Sequence, residues 1–138
     1  MNLSVTWQGD MTFVGKADTG FSVTMDSSIE GGGNDNGFRP TELIAIGAAG
    51  CSSMNVVSIL RKKRVNFSDY KVKVEVISAS ERPRVFTEMV LEYIFTGKSI
   101  KREDVERAVQ LSEEKYCQGI IMMSKTAKIS HKITIIEE

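Results

Sequence analysis

Histidine is nearly missing from this chain. His131 stands alone among 138 residues, and cysteine occurs only twice, at Cys51 and Cys117. A zinc centre wants four protein ligands, or three and a water, so no metal is expected, and nothing points to a cofactor. The cysteines lie 66 positions apart (117 − 51) and form no CxxC motif, which is not the disulfide framework of a small secreted domain. If they pair in a reducing compartment, the bond is functional rather than structural. An excess of one charge is missing too: 18 Lys plus Arg balance 18 Asp plus Glu. A nucleic-acid binder needs a basic face to displace counterions from phosphates, so nucleic acid is not an expected partner. No segment presents ~18 consecutive apolar residues to cross a bilayer. The opening "MNLSVTWQGD" has neither the basic nor the apolar region of a signal peptide. A cytoplasmic protein without membrane contact is the expectation.

What is present reads as one α+β domain over residues 1–138. That length favours a single domain, which buries roughly two-thirds of its unfolded surface. "LSVTWQ", "MTFVGKA" and "FSVTMD" alternate apolar and polar residues around Gly9-Asp10 and Thr19-Gly20, predicting an antiparallel meander. "EGGGNDNG", residues 30–37, reads as a flexible loop with no side chain to join a core. It is not a phosphate loop, since no Gly-Lys-Ser/Thr follows. Only two prolines occur, Pro40 and Pro83. Pro40 suits the first position of a helix, and nothing breaks residues 40 to about 63. Leu43, Ile44, Ile46, Ala48, Val56, Val57, Ile59 and Leu60 fall on no single stripe, so this helix should be covered on every side, by its own sheet and by a second copy of the chain. Gly47, Ala48, Ala49 and Gly50 would let another backbone come close. The basic run Arg61–Arg64 complements the helix dipole at its C-terminal end.

Beyond it, "YKVKVEVISAS" and "VFTEMVLEYIFTG" predict a hairpin turning at Glu81–Arg84, with Val72, Val74 and Val76 on one face and Phe86, Met89, Leu91 and Ile94 on the second strand. "SIKREDVERAVQLSEEKYC" predicts an amphipathic helix capped by Ser99, with Val105, Ala108, Val109 and Leu111 facing the core. "AKISHKITIIEE" closes the chain as a strand in which His131 alternates with Ile129 and Ile133. A lone strand histidine is ordinarily structural or exposed. The element order is βββ-α-ββ-α-β.

The chemistry therefore rests on the thiols. Cys51 lies about 11 residues into its helix, some 16 Å along the axis at about 1.5 Å per residue. The helix dipole acts only near the first turn, and burial among Ala, Gly and Ile raises a thiol pKa. A reactive Cys51 needs a cation from elsewhere. Arg39, at the foot of the same helix, could serve only across a dimer. Cys117, at the end of the second helix, meets the dipole's negative end.

"FRPTELIAIGAAGCSSMNVVSILRKKR" resembles the long central helix of the OsmC/Ohr family, with its pattern Pro-x-Glu-Leu, small and apolar residues, then Gly/Ala-Cys. "VFTEMVLEYIFTG" and "VERAVQLSEEKYC" resemble the strand and second-cysteine helix that follow, and "KTAKISHKITI" the closing strand. The likeness is nearest to the YhfA-like branch. It implies an intertwined homodimer in which antiparallel sheets of both subunits wrap long central helices, with active sites at the interface. It also implies a thiol-dependent peroxidase acting on organic hydroperoxides. Cys51 would attack the peroxide and become a sulfenic acid, Cys117 would condense with it to a disulfide, and a thiol reductant would regenerate the pair. The family's activating arginine lies farther upstream, but Met1–Phe38 contains no arginine, so the resemblance implies Arg39 or Lys16 as its substitute, with Glu42 as the assisting carboxylate. Thr41 holds the place of the family's glutamate. Glu42 follows it by one residue, a rotation of about 100° on a helix. Two alternatives stay open: a dimer of the same fold that binds a small apolar ligand without peroxidase activity, and a structural dimer in which both cysteines are buried filler.

Overall fold

The structure is a computed structural model that describes residues 1–138. It divides into two compact units, Met1–Ile44 and Ala45–Glu138.

In the first unit the predicted meander forms. Strands β1 (Leu3–Trp7), β2 (Phe13–Ala17) and β3 (Ser22–Met25) pair antiparallel in chain order. The glycine-rich loop differs from expectation, because it is built around a carboxylate. Asp26 is only 3% exposed and accepts bonds from the backbone N–H groups of Ser27 (2.7 Å), Asn34 (3.3 Å) and Asn36 (3.2 Å) and from Thr12 Oγ1 (3.1 Å). The expectation overlooked that a side chain before the loop could order its backbone. At Gly33 a β-carbon would collide with Asp26 and the Ser27 carbonyl, so glycine is required by space.

Helix α1 (Pro40–Lys62) has the predicted bounds. Over its second-unit part the buried face is Ala45, Ala48, Ala49, Ser52, Val56 and Leu60. The other face is open: Ile46 is 53% and Met54 79% exposed. The all-round cover expected of this helix is therefore not supplied by the single chain. Leu43–Leu60 carries no charged residue, and α1 is long and apolar enough, by length and composition, to cross a membrane. The expectation of no such segment is corrected on that point: small polar residues interrupt the apolar run without adding charge. Fully buried Ser52 bonds to Tyr93 and Ser112, which ties one face of α1 into the core of the second unit.

The second unit's sheet has the order β4-β5-β6: β4 (Asp69–Ser78), β5 (Phe86–Gly97) and β6 (Lys128–Glu137). β4 and β5 form the predicted hairpin, with Val74 opposite Leu91. The expectation of purely antiparallel sheets fails at β6, which runs parallel to β5 with His131 beside Leu91. Parallel neighbours need a long crossover, and the helical segment between them supplies it. The inner face of β5 is Met89, Leu91, Tyr93 and Phe95, all fully buried, while Ile94 takes the opposite face. With Val56, Leu60, Val105, Val109 and Ile120 these residues form the core. Each large apolar side chain buried there contributes roughly 1.5–3 kcal/mol.

The second helix was expected to run unbroken to Cys117. Instead α2 (Arg102–Leu111) passes into a π turn, Ser112–Tyr116, and after Cys117 the chain re-enters a short helix, α3 (Gln118–Met123). Ser99 does not cap α2. It sits at φ 58°, and the cap position falls to Lys101, whose side chain makes no capping bond.

Candidate active site

The small residues of α1 make room for the site. Ala48 and Ala49 are buried, and Cys51 is half-buried one turn further on. Against this stretch lies the start of α3: a β-carbon at Gly119 would stand 3.0 Å from the Ala48 Cα and 3.3 Å from the Cys51 Cβ. The close approach expected of the small residues thus happens at Ala48 and Cys51. Gly47 and Gly50 have open space before them.

That approach brings the two cysteines together as free thiols. Cys117 is fully buried; its sulfur accepts from the Ile120 N–H at 3.3 Å, makes a long contact to the Ala48 carbonyl at 3.9 Å, and lies near enough to Cys51 for that thiol to influence its protonation. Burial pushes the Cys117 thiol up to about 11. The Ile120 amide acts the other way, and the neighbouring Cys51 sulfur raises it further. The cause expected from sequence, the carboxyl end of a long helix, is not the operative one, because Cys117 instead caps the N-terminus of α3. A thiol so placed stays protonated at neutral pH.

Arg39 and Glu42 belong to the first unit, where their contacts are local. The Glu42 carboxylate accepts from the Arg39 backbone N–H at 2.8 Å, the backward half of a capping box at the start of α1. The Arg39 guanidinium donates to Asp35 (2.6 Å) and to the Gly37 carbonyl (3.2 Å), and the bond to Asp35 holds it more firmly charged.

Beside the thiols lies a group of side chains that sequence reasoning missed. Ser52, Tyr93, Ser112 and Glu113 are hydrogen-bonded in series, and Glu113 reaches His131 on β6. Tyr93 has a phenol raised by burial and by the neighbouring Glu113. The available signals were a serine in an apolar helix and a tyrosine on the core face of β5. Neither said that the two would meet.

The sequence profile of the family described as OsmC-like protein matches residues 32–132. Protein YhfA of Escherichia coli K12 is 38% identical over 136 residues, covering 99% of this chain and 98% of its own. The crystal structure of a hypothetical protein from Aquifex aeolicus is 25% identical, with a TM-score of 0.87, covering 99% and 96% of the two chains. The organic hydroperoxide resistance protein OsmC of Legionella pneumophila shares the fold at 15% identity, with a TM-score of 0.72 and 97% of each chain covered. By profile and by identity along nearly its whole length, the chain belongs to the OsmC-like family.

Proposed function

We propose that this protein is a thiol-dependent peroxidase that reduces organic hydroperoxides with Cys51 as nucleophile and Cys117 as resolving thiol. The observation that carries the reading is the packing of a half-buried and a fully buried free thiol beside each other where the start of α3 closes on α1. The Cys51 thiolate attacks the terminal oxygen of ROOH; the S–O bond forms, the O–O bond breaks, and the alkoxide leaves as ROH with a proton. Cys117 then attacks the sulfenic sulfur, the S–S bond forms, and hydroxide leaves with the Cys117 proton as water. A dithiol reductant returns two electrons and two protons. A resolving thiol held protonated suits this order, since its proton is consumed only in the second step. Apolar surroundings favour an organic over an inorganic peroxide.

The working form is a homodimer. Support comes from the uncovered face of α1 and from Leu3, Val5 and Trp7 on β1, each about two-thirds exposed, since apolar surface on this scale marks an interaction site. In that form Arg39 is the activating cation, delivered from the second subunit after releasing Asp35, and Glu42 orients it.

The test is consumption of cumene hydroperoxide and of hydrogen peroxide with a dithiol reductant, in wild type, Cys51→Ser and Arg39→Ala. Faster turnover of the organic peroxide, abolished by Cys51→Ser and slowed by Arg39→Ala, is expected. Equal rates in wild type and Cys51→Ser would overturn the reading. A second reading, a dimer that binds a small apolar ligand without turnover, draws support from the open groove of about 680 Å³ bordered by Met54, Val57, Arg61 and Tyr70. Ligand binding without peroxide consumption would favour it.

A further inference from the structure

The hydrogen-bonded series beside the thiols has no part in the chemistry above, yet two of its members, Ser52 and Ser112, are tied to the two cysteines. Ser52, which follows Cys51 on α1, bonds through Oγ to the Tyr93 hydroxyl at 2.6 Å and to Ser112 Oγ at 3.1 Å. The Ser112 hydroxyl also reaches the Ser52 carbonyl at 3.3 Å. The Tyr93 hydroxyl donates to Glu113 Oε2 at 3.0 Å, and Glu113 Oε1 pairs with His131 Nδ1 at 2.8 Å. One orientation satisfies every group: Ser112 donates to Ser52, Ser52 to Tyr93, and Tyr93 to the carboxylate. Ser52, Tyr93 and Ser112 are fully buried, where an unmade bond is costly, so the series is held as a unit.

Ser112 and Glu113 open the π turn, and the turn closes on Cys117, whose N–H donates to the Ser112 carbonyl at 2.7 Å. A π turn carries one residue more than the α-helical turn it replaces and is seldom stable without outside support. Relaxing it to α geometry would rotate Cys117 by about 100° about the helix axis, away from the sulfur it now faces. The supports that oppose this are the side-chain bonds on its first two residues.

We propose that Ser52, Tyr93, Glu113 and His131 are positioning residues that hold the π turn and thereby keep Cys117 opposite Cys51, so that they set the stability of the disulfide and not the reactivity of Cys51 toward peroxide. The inference rests on the assignment of the two cysteines as a redox pair.

The test is the equilibrium of the full-length protein with reduced and oxidised dithiothreitol, read by mass spectrometry after acid quench, in wild type, Tyr93→Phe, Glu113→Ala and Glu113→Gln. Tyr93→Phe and Glu113→Ala should each lower the equilibrium constant for the Cys51–Cys117 disulfide about tenfold, a rise of about 30 mV in the potential of this two-electron couple. Glu113→Gln keeps an acceptor for Tyr93 and should stay close to wild type, a rescue that general loss of stability would not produce. In a Cys117→Ser background the rate of sulfenic acid formation at Cys51 should be the same with and without Glu113→Ala. If Tyr93→Phe does not fold, Glu113→Ala, at a partly exposed carboxylate, decides the matter. Equal disulfide constants in all variants overturn the positioning role and leave the redox pair standing. A wild-type protein that forms no intramolecular disulfide at any dithiothreitol ratio, or with diamide, overturns both.

Discussion

Gly119 and Cys51 meet at a distance that leaves no slack: a β-carbon on Gly119 would stand 3.3 Å from the Cys51 Cβ and 3.0 Å from the Ala48 Cα. Both neighbours belong to α1, and one of the two atoms is backbone, so neither can swing aside as a long side chain would. The glycine is there for space and not for a special backbone angle.

Gly119→Ala should therefore lift the start of α3 off α1 and carry Cys117 with it. Overpacking of this kind costs roughly 1–3 kcal/mol, visible as a lower thermal midpoint, and diamide-driven disulfide formation should slow in parallel. A variant with wild-type stability and wild-type disulfide rate would mean that α3 does not need this contact to present Cys117.

The two thiols should also differ sharply toward an alkylating reagent. Cys117 is fully buried and pushed up to about 11, so at pH 8 roughly one molecule in a thousand carries the reactive thiolate, which is the nucleophilic form. Iodoacetamide should label Cys51 first, and labelling of Cys117 should go on rising with pH to about 11. Peptide mapping of a timed reaction at pH 8 and pH 10 reads both rates, and equal labelling of the two cysteines at pH 8 would contradict the arrangement.

How much of this was legible in the sequence depends on whether the cause was local. The span of α1 was, because Pro40 and an unbroken run to Lys62 are local signals, and so were the meander and the β4–β5 hairpin. The break in the second helix was not. Val105, Ala108 and Val109 keep helical spacing up to Leu111, and what turns Ser112–Tyr116 into a π turn is bonding to Ser52 and Tyr93, residues far away in the chain. The same holds for the loop at residues 30–37, ordered by Asp26 from outside its own composition, and for β6, whose parallel direction depends on the crossover rather than on its own pattern. Cys51 and Cys117 could be singled out by scarcity and resemblance, but their meeting depends on Gly119, at the start of a short helix, α3, that the pattern of the sequence did not predict.

Asp26 offers a test within the first unit alone. Burial by itself pushes its carboxyl up, but the bonds from Ser27, Asn36, Thr12 and Asn34 outweigh that and hold it below the ordinary 3.8. A carboxylate lowered on folding stabilises the folded state fully above its unfolded pKa, and the contribution is lost as pH falls through the folded value. Asp26→Asn should lower the thermal midpoint at pH 7 and flatten its fall between pH 5 and pH 2. Hydrogen exchange should show the amides of Ser27, Asn34 and Asn36 opening first. Unchanged protection at those three amides would mean that the loop holds itself without the carboxylate.

Met54 bears on the proposed assembly. It lies 79% exposed in the middle of an otherwise apolar α1, on the face away from Ser52, Val56 and Leu60, and no element of its own chain covers it. If a second copy does, a charge there must be buried on assembly without a partner, at a cost of several kcal/mol, whereas in a monomer it would simply be solvated. Met54→Lys should therefore shift a dimer toward monomer by tenfold or more in dissociation constant while leaving the monomer's own fold intact, since the side chain touches nothing that holds it. Sedimentation velocity at micromolar concentration separates the cases. A wild type that sediments as a monodisperse monomer removes the dimer, and with it the only route by which Arg39 could activate Cys51.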